Sequence, residues 1–166
     1  MVETGIIGSD ERFELIEGDV VPRPRKTGAH QRIQDLLTRA FCLSVSSDIS
    51  VGIAPTFKLG ATTFLAPEIV LYRDIAGPLL VPAEALLAIR ISDTSLGLDH
   101  GLKAELMARA GVVEYWVVNA QALEVTLHRE PRASGYGAIR RLGATDLLQP
   151  AHPDLAGLTF RLADLG

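Results

Sequence analysis

The run Ala85 to Asn119, ALLAIRISDTSLGLDHGLKAELMARAGVVEYWVVN, constrains the fold more than any other part of the chain. It reads in order as a strand, a loop, a helix, a glycine stop and a second strand. Ala85 to Ile91 is a short apolar stretch of the kind that lies in the middle of a sheet, interrupted only by Arg90. Leu98, Leu102, Leu106 and Ala110 then recur at helical spacing, and Gly111 supplies a left-handed stop. Tyr115 to Val118 forms the next strand. A charge inside an otherwise apolar strand needs a partner, so Arg90 is the first residue to be explained.

The flanking segments extend the pattern. FELIEGDVV, Phe13 to Val21, reads as a hairpin turning at Gly18, with Pro22 and Pro24 closing its second strand. From Ala29 onward, Ile33, Leu36, Leu37, Ala40 and Phe41 mark one face of an amphipathic helix. Ile49 to Lys58 and Phe64 to Tyr72, bounded by Gly60 and Gly77, predict two strands, and Leu123 to Leu127 pairs with Tyr115 to Val118. Glycine-rich and proline-rich connections follow. Hairpin, helix, strands, helix and strands give an α/β sandwich with a mixed sheet flanked by helices.

Size and composition bound the rest. A chain of 166 residues, 48% hydrophobic and 22% charged, suits one globular domain over 1–166. A net charge of -4 does not suggest binding to nucleic acid by bulk electrostatics, so any phosphate contact must come from local basic clusters. Cys42 is the lone cysteine, so neither a disulfide framework nor a cysteine-rich zinc site is available. Glu3, Asp10, Glu11 and Glu14 near the start do not make a secretory signal, and no apolar run approaches the roughly 18 residues of a membrane span. The expected compartment is the cytoplasm.

The FELIEGDVV block, His30 opening the first helix, the Pro67-Glu68 step and ISDTSLGLDHGLKAELMARAGVVEYWVV together resemble the Uma-type restriction endonucleases of the PD-(D/E)XK nuclease superfamily. The last block, with Asp99, Gly101 and Lys103 leading into ARAG and EYWVV, is the specific one. The resemblance implies a restriction-endonuclease-like fold and phosphodiester hydrolysis in DNA. It also implies Mg²⁺ or Mn²⁺ held by two carboxylates on adjacent strands, with a lysine positioning water. A hard cation with oxygen ligands polarises the phosphoryl group and lowers the pKa of its bound water. Carried over, Glu17 falls on the N-terminal acid, His30 on the helix histidine and Glu68 on the aspartate of the Pro-Asp step. Arg90 falls on the second acid and Lys103 on the lysine. The metal ligands are then Glu17 and Glu68.

Two positions depart from this pattern. Glu68 keeps the ligand type but moves its oxygens about one methylene outward, against a tolerance of about 0.5 Å. Arg90 removes a ligand and places a permanent cation where Mg²⁺ should bind. Glu84 and Asp93 flank Arg90 without sharing its position. Three residues along an extended strand point Asp93 to the other face, so a rescue needs a loop bend. The economical expectation is an internal ion pair of Arg90 with Glu68 or Glu17 in a metal-free remnant of the pocket. The nuclease centre is then impaired or lost.

Each residue also has a plain structural reading. Glu17 beside Gly18 suits an exposed turn, and His30 suits a capping or surface position. Lys103 pairs with Asp99 four residues earlier on one helical face, and Arg90 could extend to the sheet edge. Tyr115 and Trp116 read as core. Two basic segments could track a DNA backbone: Arg23, Arg25, Lys26, His30, Arg32 and Arg39, and then Arg129, Arg132, Arg140 and Arg141. The expected partners are DNA and a second copy of the chain in a homodimer. The rival to a metal-dependent endonuclease is a non-enzymatic module that binds nucleic acid or protein, and a third reading has the Arg90 pocket holding an anion.

Overall fold

A computed structural model describes residues 12–73 and 80–166. Glu3, Asp10, Glu11 and the boundary residue Gly77 lie outside them. Among the described residues, ten strands form two sheets. The smaller sheet contains β1 (Phe13–Ile16), β2 (Asp19–Pro22), β4 (Phe57–Lys58) and β5 (Phe64–Leu65) in the order β2-β1-β5-β4. The larger contains β3 (Ile49–Ile53), β6 (Ile69–Arg73), β7 (Ala85–Ser92), β8 (Glu114–Asn119), β9 (Glu124–Arg132) and β10 (Gly135–Leu142). Its order is β10-β9-β8-β7-β6-β3, and β7 with β8 is its parallel pair, so the sheet is mixed as expected.

The parallel pair is the unit read from Ala85 to Asn119. Its crossover carries α2 (Leu96–His100) and α3 (Leu102–Arg109), because the expected single helix breaks at Gly101. A Cβ at Gly101 would meet the Gly97 carbonyl oxygen at 2.9 Å, so glycine permits the tight junction. The N–H of Gly111, at φ 83°, bonds the Ala108 carbonyl as the helix ends. α1 (Gly28–Ser44) starts at Thr27, whose hydroxyl accepts the His30 N–H at 3.1 Å.

Alternation along the central strands divides the interior in two. Leu87, Ile89, Ile91, Trp116 and Val118 face α1 residues Ile33, Leu37 and Phe41. Ala88, Tyr115 and Val117 face Ala104 and Met107 of α3 and Ile16, Phe57 and Leu65 of the small sheet. Tyr115 and Trp116 are core residues, as expected, and the Trp116 indole donates to the buried Glu114 carboxylate at 2.7 Å.

Three sequence expectations need correction. The predicted strands Ile49–Lys58 and Phe64–Tyr72 are each two shorter pieces, divided between the two sheets. Ala54 at φ 47° ends β3, and Pro55 lacks the N–H a ladder requires. β9 runs on past Leu127 to Arg132. The glycine-rich stretch after it is β10, an edge strand with largely exposed residues and hence no clean apolar alternation.

Candidate functional site

Arg90 projects from the middle of β7 into the layer between the large sheet, the small sheet and the α2-α3 crossover. Four elements bring charges to it. Glu68 immediately precedes β6, and its N–H donates to the Ile89 carbonyl at 2.9 Å, which sets its carboxylate beside Arg90. β1 turns Glu14 and Ile16 inward by its period of two, and the Ala66 N–H donates to Glu14 Oε1 at 2.9 Å. The Gly101 junction keeps Asp99 and Lys103 on one side, with Nζ 3.1 Å from Asp99 Oδ1. Arg23, just past β2, reaches Glu68 Oε1 at 2.5 Å.

Among the described residues, the result is a set of three carboxylates and three cations. Arg90 Nη1 donates to Glu14 Oε1 at 2.9 Å and to the Ala66 carbonyl at 3.1 Å; its Nε lies 3.2 Å from Asp99 Oδ1 and 3.7 Å from Glu68 Oε2. Lys103 Nζ is 2.7 Å from Glu14 Oε2. Glu68 Oε2 also accepts the Ile91 N–H at 3.0 Å, and Ser95 Oγ donates to Asp99 Oδ2 at 2.5 Å. Glu14 Oε2, Arg90 Nε and Asp99 Oδ1 lie within ion-pair distance of opposite charges but lack hydrogen-bond alignment. Those contacts act through charge.

Glu68 is 1% exposed, Asp99 0%, Lys103 3%, and Glu14 and Arg90 4% each. Burial penalises every one of these charges, so each depends on its opposites. At Arg90 burial opposes the charge, yet Glu68, Glu14 and Asp99 together outweigh it and hold its pKa above the ordinary value. At Glu14 and Asp99 burial favours the neutral acid, but Arg90 and Lys103 prevail and lower both pKa values.

Above the cluster opens a recess. Arg12, Arg23, Arg25, Lys26, His30, Glu68, Arg90 and Asp93 contribute to its wall. His30 is 8% exposed, with Nε2 3.8 Å from Glu68 Oε1 and Nδ1 3.9 Å from Asp93 Oδ2. Burial lowers its pKa. Asp93 follows the end of β7, and the bend there turns it towards α1, where its Oδ2 accepts from the Thr27 hydroxyl at 2.5 Å.

The model of the Uma2 family, described as "Putative restriction endonuclease", matches residues 3–163. The chain belongs to the Uma2 family. A crystal structure from Anabaena variabilis ATCC 29413, titled a putative nuclease belonging to DUF820, shares its fold. The TM-score is 0.74 at 16% identity, over 98% of this chain and 94% of that one. No curated protein matches. Family membership supports a nuclease-like function.

The metal that the Uma2 resemblance implies does not fit these residues. Among the described residues, no three His, Cys, Asp or Glu side chains are grouped to hold a metal ion. Glu14, Glu68 and Asp99 already face Arg90, Lys103 and Arg23, so a divalent cation would enter a charge-balanced cluster and meet a guanidinium.

The structure brings Glu68, Arg90 and Lys103 together and sets His30 on the rim. It does not bring Glu17. That residue is exposed at φ 51° in the hairpin turn beside Gly18, its N–H donating to Thr63 Oγ1 at 3.1 Å. The expected Arg90 partner Glu17 is therefore replaced by Glu14. The strand period could have found Glu14, since it shares the inward face with Ile16 whereas Glu17 lies beyond the strand. Asp99 was visible as part of the specific resemblance block and as the helical partner of Lys103, and Arg23 only as part of a basic segment. The loop bend that Asp93 required is present. In the second basic segment, Arg129 pairs with Glu114, Arg132 with Glu130 and Arg141 with Glu124, which leaves Arg140 unpaired among the described residues. No described helix is long and apolar enough to cross a membrane.

Proposed function

We propose that this chain is a restriction-endonuclease-fold protein that contacts DNA without metal-dependent cleavage, because Arg90 has turned the nuclease centre into an internal charge lock. The observation that carries this reading is the Arg90 guanidinium seated between Glu14 and Asp99, with Glu68 close by. A position that resembles a metal ligand holds a fixed cation, and Lys103, the residue matching the water-positioning lysine, spends its charge on Glu14 and Asp99. Neither Mg²⁺ nor Mn²⁺ is used on this reading. DNA contact is supported by family membership and by the exposed arginines Arg12 and Arg25 beside the recess. The protein acts as one domain, in the cytoplasm, as a homodimer; light scattering tests the dimer.

Supercoiled-plasmid nicking with Mg²⁺ and with Mn²⁺ tests the reading. Wild type is expected to be silent. Arg90→Glu is expected to nick in a metal-dependent way, and adding Lys103→Ala to abolish it again. Wild-type cutting that Glu68→Gln eliminates would overturn the charge lock. Wild-type cutting indifferent to Glu68→Gln would move the site elsewhere.

A further inference from the structure

We propose that the recess above the charge cluster is a metal-independent binding site for a phosphomonoester dianion; the proposal rests on the charge lock, which leaves the recess free of metal. Arg12, Arg25 and Lys26 stand on its wall, and none has a carboxylate within ion-pair distance among the described residues. Lys26 donates only to the neutral Gln34 carbonyl oxygen. Among the described residues, the carboxylates on the wall are Glu68 and Asp93, and Glu68 is already matched by Arg23. Among the described residues, three cations against Asp93 leave an excess of two positive charges. A terminal phosphate carries close to two negative charges at neutral pH, whereas an internal phosphodiester carries one.

Two further features point into the same space. The positive end of α1, a helix of 17 residues, opens there through Thr27 and His30. His30 is nine-tenths buried and its Nε2 has no hydrogen-bond partner, although it turns towards Glu68 on the wall. The buried residues Glu68, Arg90 and Ile91 line the recess.

Phosphomonoesters come from two sources, a 5′-phosphorylated DNA end and a free nucleotide, and one assay separates them. Fluorescence anisotropy in EDTA compares a short duplex labelled at its 3′ end with and without a 5′ phosphate, using wild type, Arg25→Ala/Lys26→Ala and His30→Gln. We expect the phosphorylated end to bind at least about tenfold more tightly to wild type, roughly one charge-assisted hydrogen bond. Both variants should lose most of that preference. Competition by adenosine monophosphate at concentrations where inorganic phosphate has no effect would assign the free nucleotide; its failure to compete would assign the DNA end. Equal affinity for both duplexes, or a preference unchanged in Arg25→Ala/Lys26→Ala, would overturn the site. These outcomes are independent of plasmid nicking, so loss of this proposal leaves the charge lock standing, and metal-dependent cutting by wild type removes the lock without altering the end-binding result.

Discussion

Arg90→Glu should convert a protein indifferent to divalent metal into one whose stability depends on it. In the wild type, Glu14, Glu68 and Asp99 are balanced by Arg23, Arg90 and Lys103. The substitution leaves four carboxylates against two cations, a buried excess of two negative charges. Removing one partner of a buried ion pair costs about 3–5 kcal/mol. At about 2–4 °C per kcal/mol for a domain of this size, Tm should fall by roughly 6–20 °C in EDTA. One divalent cation cancels the excess, and at about 100 times its Kd it restores about 2.7 kcal/mol, or roughly 5–11 °C. Differential scanning fluorimetry in EDTA, Mg²⁺ and Mn²⁺ reads all three quantities. Arg90→Met controls for generic damage: it should also lose stability but recover less with metal. The reasoning fails if Arg90→Glu melts with wild type in EDTA, or if Mn²⁺ raises the wild-type Tm as much as that of the variant.

Glu14→Ala should cost at least about 3 kcal/mol in urea denaturation because it strips Arg90 and Lys103 of their shared partner, whereas Glu17→Ala should stay within about 0.5 kcal/mol. Equal effects would return the N-terminal acid to the hairpin turn. A double-mutant cycle between Glu14→Gln and Lys103→Met should give a coupling energy of about 0.5–3 kcal/mol; additivity would mean that the 2.7 Å contact does not stabilise the fold. His128 is held down to a pKa of about 4, by burial first and then by His100. Its folded pKa lies below the unfolded value of about 6.5, so the unfolded chain binds the proton first and stability is lost as pH falls from 6.5 towards 4, by roughly 3 kcal/mol. The His128 ring resonance should titrate near 4 by NMR, and a midpoint near 6.5 would contradict this. The lowered pKa values of Glu14 and Asp99 add a second stabilising contribution, present in full above their unfolded values near 4 and lost in stronger acid.

The crossover from Ala85 to Asn119 was legible because each of its signals was local: an apolar strand, a helical period and a glycine stop. The charge of Arg90 also announced a buried partner. Which partner could not be read so simply, because it depends on the inward face of β1 and on how the small sheet meets the large one. Glu17 was drawn to the site by motif position, while the turn at φ 51° carries it out to solvent. Arg23 looked like surface charge because nothing local tells a solvated arginine from one reaching Glu68 across 45 residues. β10 escaped notice because an edge strand open to solvent need not alternate. Asp93 escaped the site because a strand-register argument stops at Ser92, where the strand itself stops.

Crystals of the wild-type chain soaked in Mn²⁺, with data collected at the manganese edge, test the charge lock most directly. We expect no anomalous peak among Glu14, Glu68 and Asp99, and Arg90 still seated on Glu14 and Asp99. A Mn²⁺ ion coordinated by Glu68, with the Arg90 guanidinium swung out of the cluster, would contradict it.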